Sequence, residues 1–266
     1  MANIAAAIIC STGGVTSAQD SLYEYGMTPV SIENGKLVSG DAIHNDAATA
    51  DIQTSNMTGT TDQYYGHFFF GNADIKNTSF DNNTLKTDGP NGVVYFNSSV
   101  KLYPTSYEVE TPNTVTVTNS SFNGNKIEST GGTASIYSTS KAGAVMIKGT
   151  NVTFNDVAFN DNAASGGTHA QAMGGAVYLD STSNTANHDG QKRVLKASAT
   201  FNVTKDTTYA GNKVFGVDAY SDTYGSYAKT GGGFMYMDRG GEANFNIADG
   251  VTLKIGKDGE TDANTD

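Results

Sequence analysis

Phe122-Asn-Gly-Asn125 decides the fold, because the chain writes the same unit again at Phe80-Asp-Asn-Asn83 and Phe159-Asn-Asp-Asn162. A fourth copy, Tyr209-Ala-Gly-Asn212, has tyrosine in the aromatic place. Each unit is followed, across a stretch of variable length, by glycine and a short apolar run. The runs are Gly92-Val-Val-Tyr-Phe96, Gly143-Ala-Val-Met-Ile147, Gly174-Gly-Ala-Val-Tyr-Leu179 and Gly231-Gly-Gly-Phe-Met-Tyr-Met237. The order never reverses, and a motif pair recurring in fixed order marks a repeat architecture.

The runs are β-branched and aromatic, and Gly, Asn, Asp and Ser bound them, which is strand chemistry with turn punctuation. Val115-Thr-Val-Thr118, Val152-Thr-Phe154 and Ala199-Thr-Phe-Asn-Val203 alternate apolar and polar residues, as strands with one buried face do. No useful length of chain has a helical period. The aromatics step by 42, 37 and 50 residues. A propeller blade has a comparable period but needs four antiparallel strands joined by tight hairpins, and Asn-Gly and Asp-Gly signals are few. A solenoid absorbs such drift, since each insertion loops out of one coil.

The expectation is an all-β chain: a right-handed single-stranded parallel β-helix with an N-terminal cap, each aromatic–asparagine unit covering about two coils. Matching positions then stack at about 4.8 Å. Phe80, Phe122, Phe159 and Tyr209 should line an internal column of rings. Asn83, Asn125, Asn162 and Asn212 should occupy the following bend. There Asn tolerates the left-handed backbone, and its amide can bond to the equivalent amide one layer away. The glycines fit where the backbone turns back toward the interior.

The alternation of F-x-x-N with G-G-A-[VIL] resembles the repeat signature of the chlamydial polymorphic membrane proteins and, more broadly, of β-helical autotransporter passengers. Gly174-Gly-Ala-Val177 matches the second motif fully, Gly143-Ala-Val145 keeps one glycine, and Gly231-Gly-Gly-Phe234 replaces the alanine. Tyr209 departs at the aromatic, and a single cysteine departs from the cysteine-rich chlamydial group. The resemblance covers roughly residues 66 to 260. It implies a bacterial passenger domain, surface-displayed or secreted, that acts as an adhesin or host-interaction factor. Its partner would be a host-cell surface protein or glycan. It also implies an extracellular location, with outer-membrane anchoring of the full-length protein by a C-terminal barrel. No alternating barrel strands follow Phe245–Ile255, so the chain is either cut within a longer protein, which is the favoured expectation, or a separate secreted product.

Composition suits this class. Charged residues make up 16% of the chain, tryptophan is absent, and small polar residues dominate, as the turns of an extracellular solenoid require. An apolar content of 37% argues against disorder. The net charge of −11 disfavours nucleic acid and anionic membrane surfaces, which recruit clustered Lys and Arg. Lys192-Arg193 with Lys196 is the one local basic group, read as a solvated loop. Cys10 has no partner for an internal disulfide. It ends Ala5-Ala-Ala-Ile-Ile-Cys10, which reads as a first cap strand, a signal remnant or a lipoprotein-type cysteine. No stretch approaches the ~20 apolar residues that span a bilayer.

Three segments follow: residues 1–60 as cap and first coils, 61–257 as the β-helix, and 258–266 as a polar tail or truncation point. Recognition belongs on the inserts, since loops on a rigid scaffold carry it. The insert at 216–229 offers Asp218, Tyr220, Asp222, Tyr224 and Tyr227, a composition suited to adaptable contact. The insert at 102–113 offers Tyr103 and Tyr107. The inserts at 163–173 and 181–193 carry His169, Gln171, His188, Lys192 and Arg193. Tyrosine packed on the coil below is the competing reading of each.

Right-handed β-helices also host polysaccharide lyases and glycosidases, which use paired carboxylates. Asp156 and Asp161 flank Phe159, and Asp81 precedes an equivalent Asn, yet each sits in a turn where Asp serves the backbone. No catalytic residue, cofactor or metal site is expected. His44, His67, His169 and His188 lack metal spacing, and no phosphate loop or nucleophile elbow appears. A carbohydrate-active enzyme and a structural filament protein with stacking coil ends are the alternatives.

Overall fold

A computed structural model describes, with side chains, residues 72–86, 92–98, 112–129, 139–166, 171–181, 195–215, 231–238 and 240–256. It describes the remaining strand residues as backbone. These residues are all-β: parallel strands stack into sheets, and no helix occurs among them.

Three long sheets carry the fold, of seven, seven and five strands. In the first, His67–Phe70, Val94–Asn97, Val145–Lys148, Val177–Asp180 and Met235–Asp238 lie side by side, all parallel. The second stacks Ala73–Lys76, Thr114–Thr118, Asn151–Asn155, Ser198–Val203 and Glu242–Ile247 in the same way. The third stacks Asp81–Thr87, Lys126–Ser129, Ala163–Gly166 and Lys213–Phe215. The chain visits the sheets in this order and then returns to the first, beside its previous strand. Toward the N-terminus, Val30–Glu33 and Thr54–Asn56 extend the second and third sheets in parallel. Ala7–Cys10 instead pairs antiparallel with His67–Phe70.

Each aromatic–asparagine unit is one full pass, not two. Phe122 lies directly opposite Phe159 on neighbouring parallel strands, 37 residues apart, which leaves no intervening rung. The reason is length: a single pass uses three sheet strands, a short strand at the corner between the second and third sheets, and further connecting residues. Thirty-seven residues are consumed in doing so.

Alternation along the strands builds the core. Val115, Val117, Val152, Phe154, Ala199 and Phe201 point inward from the second sheet and are buried. Phe80 and Phe122 stack with ring centroids 5.0 Å apart and planes 4° from parallel. Phe122 and Phe159 repeat this at 5.1 Å and 8°. A second column runs Phe154–Phe201–Phe245, at 5.1 and 4.8 Å. Stacked pairs contribute about 0.5–1.5 kcal/mol each beyond area burial. Tyr209 leaves the first column: it meets Phe159 edge-on at 88° and stacks on Phe234 at 4.9 Å. Its corner is longer than those before it, since Phe159 follows Phe154 by five residues and Tyr209 follows Phe201 by eight.

The ladder asparagines do not take the left-handed backbone. The residue before each one does: Asn82 at φ 60°, Gly124 at 66°, Asp161 at 57° and Gly211 at 70°. That residue turns the corner, which frees the next side chain to point inward. Gly143 and Gly175 are required by close approach, since an added Cβ would lie 2.0 Å from the carbonyl oxygen of Gly175 and of Gly233 respectively.

Candidate binding surfaces

The buried asparagines form a ladder of hydrogen bonds through successive layers. Asn125 Oδ1 accepts from both the backbone N–H (3.1 Å) and the Nδ2 (2.9 Å) of Asn83. Asn162 Oδ1 does the same for Asn125, and Asn212 Oδ1 for Asn162. All four are at most 1% exposed. Buried polar groups are held by partners in this way because an unmade bond there costs the desolvation of the group. A shallower ladder lies beside it: Asp81 Oδ1 accepts from Asn123 N–H, Asn123 Oδ1 from Asn160 N–H, and Asn160 Oδ1 from Ala210 N–H.

Two of the inserts open at one junction of the fold. The hairpin Ser99–Lys101 with Ser106–Glu108 leaves between the first and second sheets. The hairpin Thr182–Thr185 with Lys192–Leu195 leaves at the same junction two layers on. The layer between them crosses by the tight turn Gly149–Thr150. One device roots both hairpins: Ser98 Oγ accepts from Asn113 N–H at 2.7 Å, and Ser181 Oγ from Ala197 N–H at 3.0 Å. Both serines are buried, and Ser98 Oγ also bonds Thr150 Oγ1 at 2.9 Å. The next described strands after Ala163–Gly166 and Lys213–Phe215 are Ala170–Met173 and Thr230–Gly231, which pair in a separate three-stranded sheet. The hairpins of the 102–113 and 181–193 inserts thus share one edge of the molecule; the expected insert at 163–173 is instead mostly strand, Ala163–Gly166 and Ala170–Met173, and residues 216–229 lie outside the described residues.

Asp218, Tyr220, Asp222, Tyr224, Tyr227 and Tyr103 lie outside the described residues, as do His44, His169 and His188. Tyr107 falls in a strand described as backbone, opposite Val100.

The three sheets present unlike outer faces. The first is covered: Tyr95, Met146 and Tyr178 are buried, and Tyr178 donates to Asp238 Oδ2 at 3.0 Å and stacks on Tyr236. Burial, then the negative charge of Asp238, pushes the Tyr178 phenol far above its ordinary pKa. Lys141 Nζ sits 5.4 Å from the centre of the Tyr178 ring. The third sheet's face carries charge, with Lys86 and Glu128 paired at 2.7 Å and Lys126 and Lys213 in the same sheet. The second sheet's face is neutral over four strands, from Thr114–Thr118 to all but the Glu242 rim of Glu242–Ile247, while on the preceding strand Asp74 and Lys76 share the face, opposite Thr116 and Thr118, and pair at 2.7 Å. Its central column is Thr116–Thr153–Thr200–Asn244. An amide row flanks it, in which Asn202 Nδ2 donates to Asn155 Oδ1 (2.7 Å) and Asn246 Nδ2 to Asn202 Oδ1 (2.8 Å).

An open groove of about 500 Å³ follows the corner between the second and third sheets, lined by Asn77, Ser79, Asn119, Ser121, Asp156 and Lys205 among others. The acids of this corner are engaged by the chain itself. Asp81 accepts from the Ser79 and Ser121 hydroxyls as well as from Asn123 N–H. Asp156 accepts from the hydroxyl and N–H of Thr204. Burial alone would raise the Asp156 pKa, but the two Thr204 bonds and nearby Lys205 outweigh it, and the carboxyl lies below its ordinary value. Burial, then the charge of Asp156, raises the Tyr209 phenol well above its ordinary pKa. The Asp161 side chain lies where a Cβ on Gly211 would fall. Among the described residues, no group of three or more His, Cys, Asp or Glu is placed to hold a metal ion, and no helix is long and apolar enough to cross a membrane.

No protein-family model matches this chain, and neither a curated protein nor a solved structure matches it. Sequence reasoning missed the rooting serines and the neutral outer lattice. The signal for the lattice was present in Thr114-Val-Thr-Val-Thr118, whose apolar half alone was read for its meaning.

Proposed function

We propose that the chain winds as a right-handed single-stranded parallel β-helix. We propose further that it serves as the passenger of a bacterial surface-displayed or secreted protein, acting as an adhesin or host-interaction factor. The observation that carries this reading is the in-register parallel stacking of the F-x-x-N units, layer on layer, with buried asparagines bonded along the stack. Such a stack is a rigid rod needing only local contacts between neighbouring repeats. Handedness rests on the general rule that crossovers between parallel strands of one sheet are right-handed in about 98% of cases. The resemblance to autotransporter passengers supplies the biological setting.

The rod's role is to hold recognition elements away from the cell. Two hairpins rooted by Ser98 and Ser181 on one edge, together with the tyrosine-rich insert at 216–229, are the elements it offers to a host protein or glycan. No chemical step belongs to this reading, because Asp81 and Asp156 serve as acceptors for turns of the chain.

The test is binding of the purified chain to host cells and to a glycan array. It is repeated with residues 99–112 or 182–196 cut to a Gly-Thr turn like that at 149–150, and with 216–229 replaced by a Gly-Ser turn. Loss of binding in at least one trimmed variant is expected. A chain that binds no host cell sinks the reading.

A further inference from the structure

The outer face of the second sheet has a composition no other described surface shares. Four strands, Thr114–Thr118, Asn151–Asn155, Ser198–Val203 and Glu242–Ile247, lie parallel and in register, and each presents three outward positions. Every one of these positions is Thr, Ser or Asn except Glu242 at the rim. Across these four strands the face holds no aromatic, no large aliphatic and no cation, on a chain of net charge −11; the next described strand adds one ion pair, Asp74–Lys76 at 2.7 Å, in register with Thr116 and Thr118. The side chains at its centre, Thr116, Thr153 and Thr200, are half-buried and reach solvent.

We propose that this face binds an extended, uncharged polysaccharide, laid across the strands. The inference deepens the adhesin reading and rests on it for its biological sense. Exclusion does part of the argument. A protein interface needs desolvated aromatic or Arg anchors, and the face has none. A nucleic acid or sulfated glycan needs clustered Lys and Arg, and the one lysine bordering the four strands, Lys76, is paired with Asp74. What remains is a partner whose own surface is neutral and rich in hydroxyls.

Geometry does the rest. Rungs repeat at about 4.8 Å across the strands, and outward positions repeat at about 6.6 Å along them. A hexopyranose in an extended chain advances by close to one rung, so successive sugars meet successive rungs. On the two middle rungs a sugar faces a threonine hydroxyl with an amide beside it, Thr153 with Asn155 and Thr200 with Asn202; the first rung offers two hydroxyls, Thr116 and Thr118, and the last two amides, Asn244 and Asn246. Threonine hydroxyls donate and accept, and asparagine amides do both, so each rung matches a sugar hydroxyl in either role. The amides are held before binding by the Asn155–Asn202–Asn246 row, and the strands are fixed by the ladder beneath. Preorganisation of this kind lowers the entropy cost of binding and makes weak polar contacts add along a polymer.

Affinity electrophoresis of the whole 266-residue chain tests this, in gels containing galactomannan, mixed-linkage β-glucan, dextran or hydroxyethylcellulose, with heparin as the charged arm. Retardation by at least one neutral polymer and none by heparin is expected. Thr153→Lys and Thr200→Lys, which place cations in the lattice without touching the core, should weaken that binding by about tenfold or more, and Thr153→Ser should keep it. Lys126→Ala, on the third sheet, should change nothing. Circular dichroism of each variant checks that the fold is intact.

Absence of retardation by any neutral polymer, or retardation untouched by both lysine variants, overturns the proposal. Host-cell binding measured in parallel separates the two readings. Cells bound without any neutral glycan ends this inference and leaves the adhesin reading standing. A glycan bound through Thr153 and Thr200 without cell binding does the reverse.

Discussion

Two rows of asparagine run along the same stack, one inside and one outside, and their chemistry is nearly the same. Inside, Asn83, Asn125, Asn162 and Asn212 are sealed from water, and each Oδ1 from Asn125 onward takes two donors from the preceding layer. Outside, Asn155, Asn202 and Asn246 share one bond per layer, and the donation runs the opposite way. The difference is burial. An inner amide that loses its partner has nothing to turn to, whereas an outer one turns to water, so the same bond carries unequal stakes. The inner row specifies how the layers register. The outer row is free to meet a ligand.

The comparison can be broken at its strongest point by crowding the inside. In Gly175→Ala the new Cβ would fall 2.0 Å from Gly233 O and 2.6 Å from Lys213 N, both backbone atoms that cannot rotate away. A loss of about 4 kcal/mol or more is expected, above the roughly 1–3 kcal/mol usual for overpacking because backbone rather than side chains must move. Urea unfolding followed by circular dichroism measures it. A loss below 1 kcal/mol would mean that layers slide apart easily, and that the inner register is soft.

Asn162→Ala comes next. It strips the acceptor from Asn125 N–H and Nδ2, and removes the donor that Asn162 Nδ2 gives to Phe122 O and to Asn212 Oδ1. A penalty of about 3 kcal/mol is expected from unsatisfied buried groups. Asn202→Ala on the outer row removes one bond in each direction and leaves its neighbours in water. It should cost about 0.5 kcal/mol or less. The ratio of the two losses, measured in the same urea series, is the sharpest expression of the contrast. Equal losses would erase it.

Much of this was legible in the residues, and the reason is periodicity. The F-x-x-N unit and the alternating strands follow from side-chain period two and from turn chemistry, both local properties. Parallel pairing followed from repeat order, and Phe122 does lie opposite Phe159. The number of layers per repeat was misread, because sequence spacing counts residues while a pass also spends them in corners and connecting strands. The left-handed positions were misplaced by one residue. Asn82 and Asn83 are equally asparagine, and only the coordinates show which turns and which points in. Tyr209 could not be foreseen leaving its column, since its tilt comes from a corner lengthened elsewhere in the pass. The outer lattice was overlooked for a different reason: polar residues on a strand read as mere solvation until neighbouring strands are aligned.

The smallest expected effect lies where the inner and outer rows meet, at the corner after Asn155. Asp156 has φ 51° and is held by the Thr204 hydroxyl and amide across one layer. Its carboxyl titrates below the ordinary value of 3.8, so the ionised form favours the folded chain. The resulting stability is complete above the unfolded carboxyl's pKa and is lost as pH falls through the lower folded one. Asp156→Asn keeps an acceptor for Thr204 but removes the charge. The wild-type chain should therefore be slightly more stable than the variant at pH 7, and the gap should close by about pH 2, where the wild-type carboxyl is also neutral. The site is solvent-facing and screened, so the gap should be a shift in melting temperature of about 1 °C or less. A gap that stays constant from pH 7 to pH 2 would show that the corner is held by shape alone. The contacts of this corner would then owe nothing to charge.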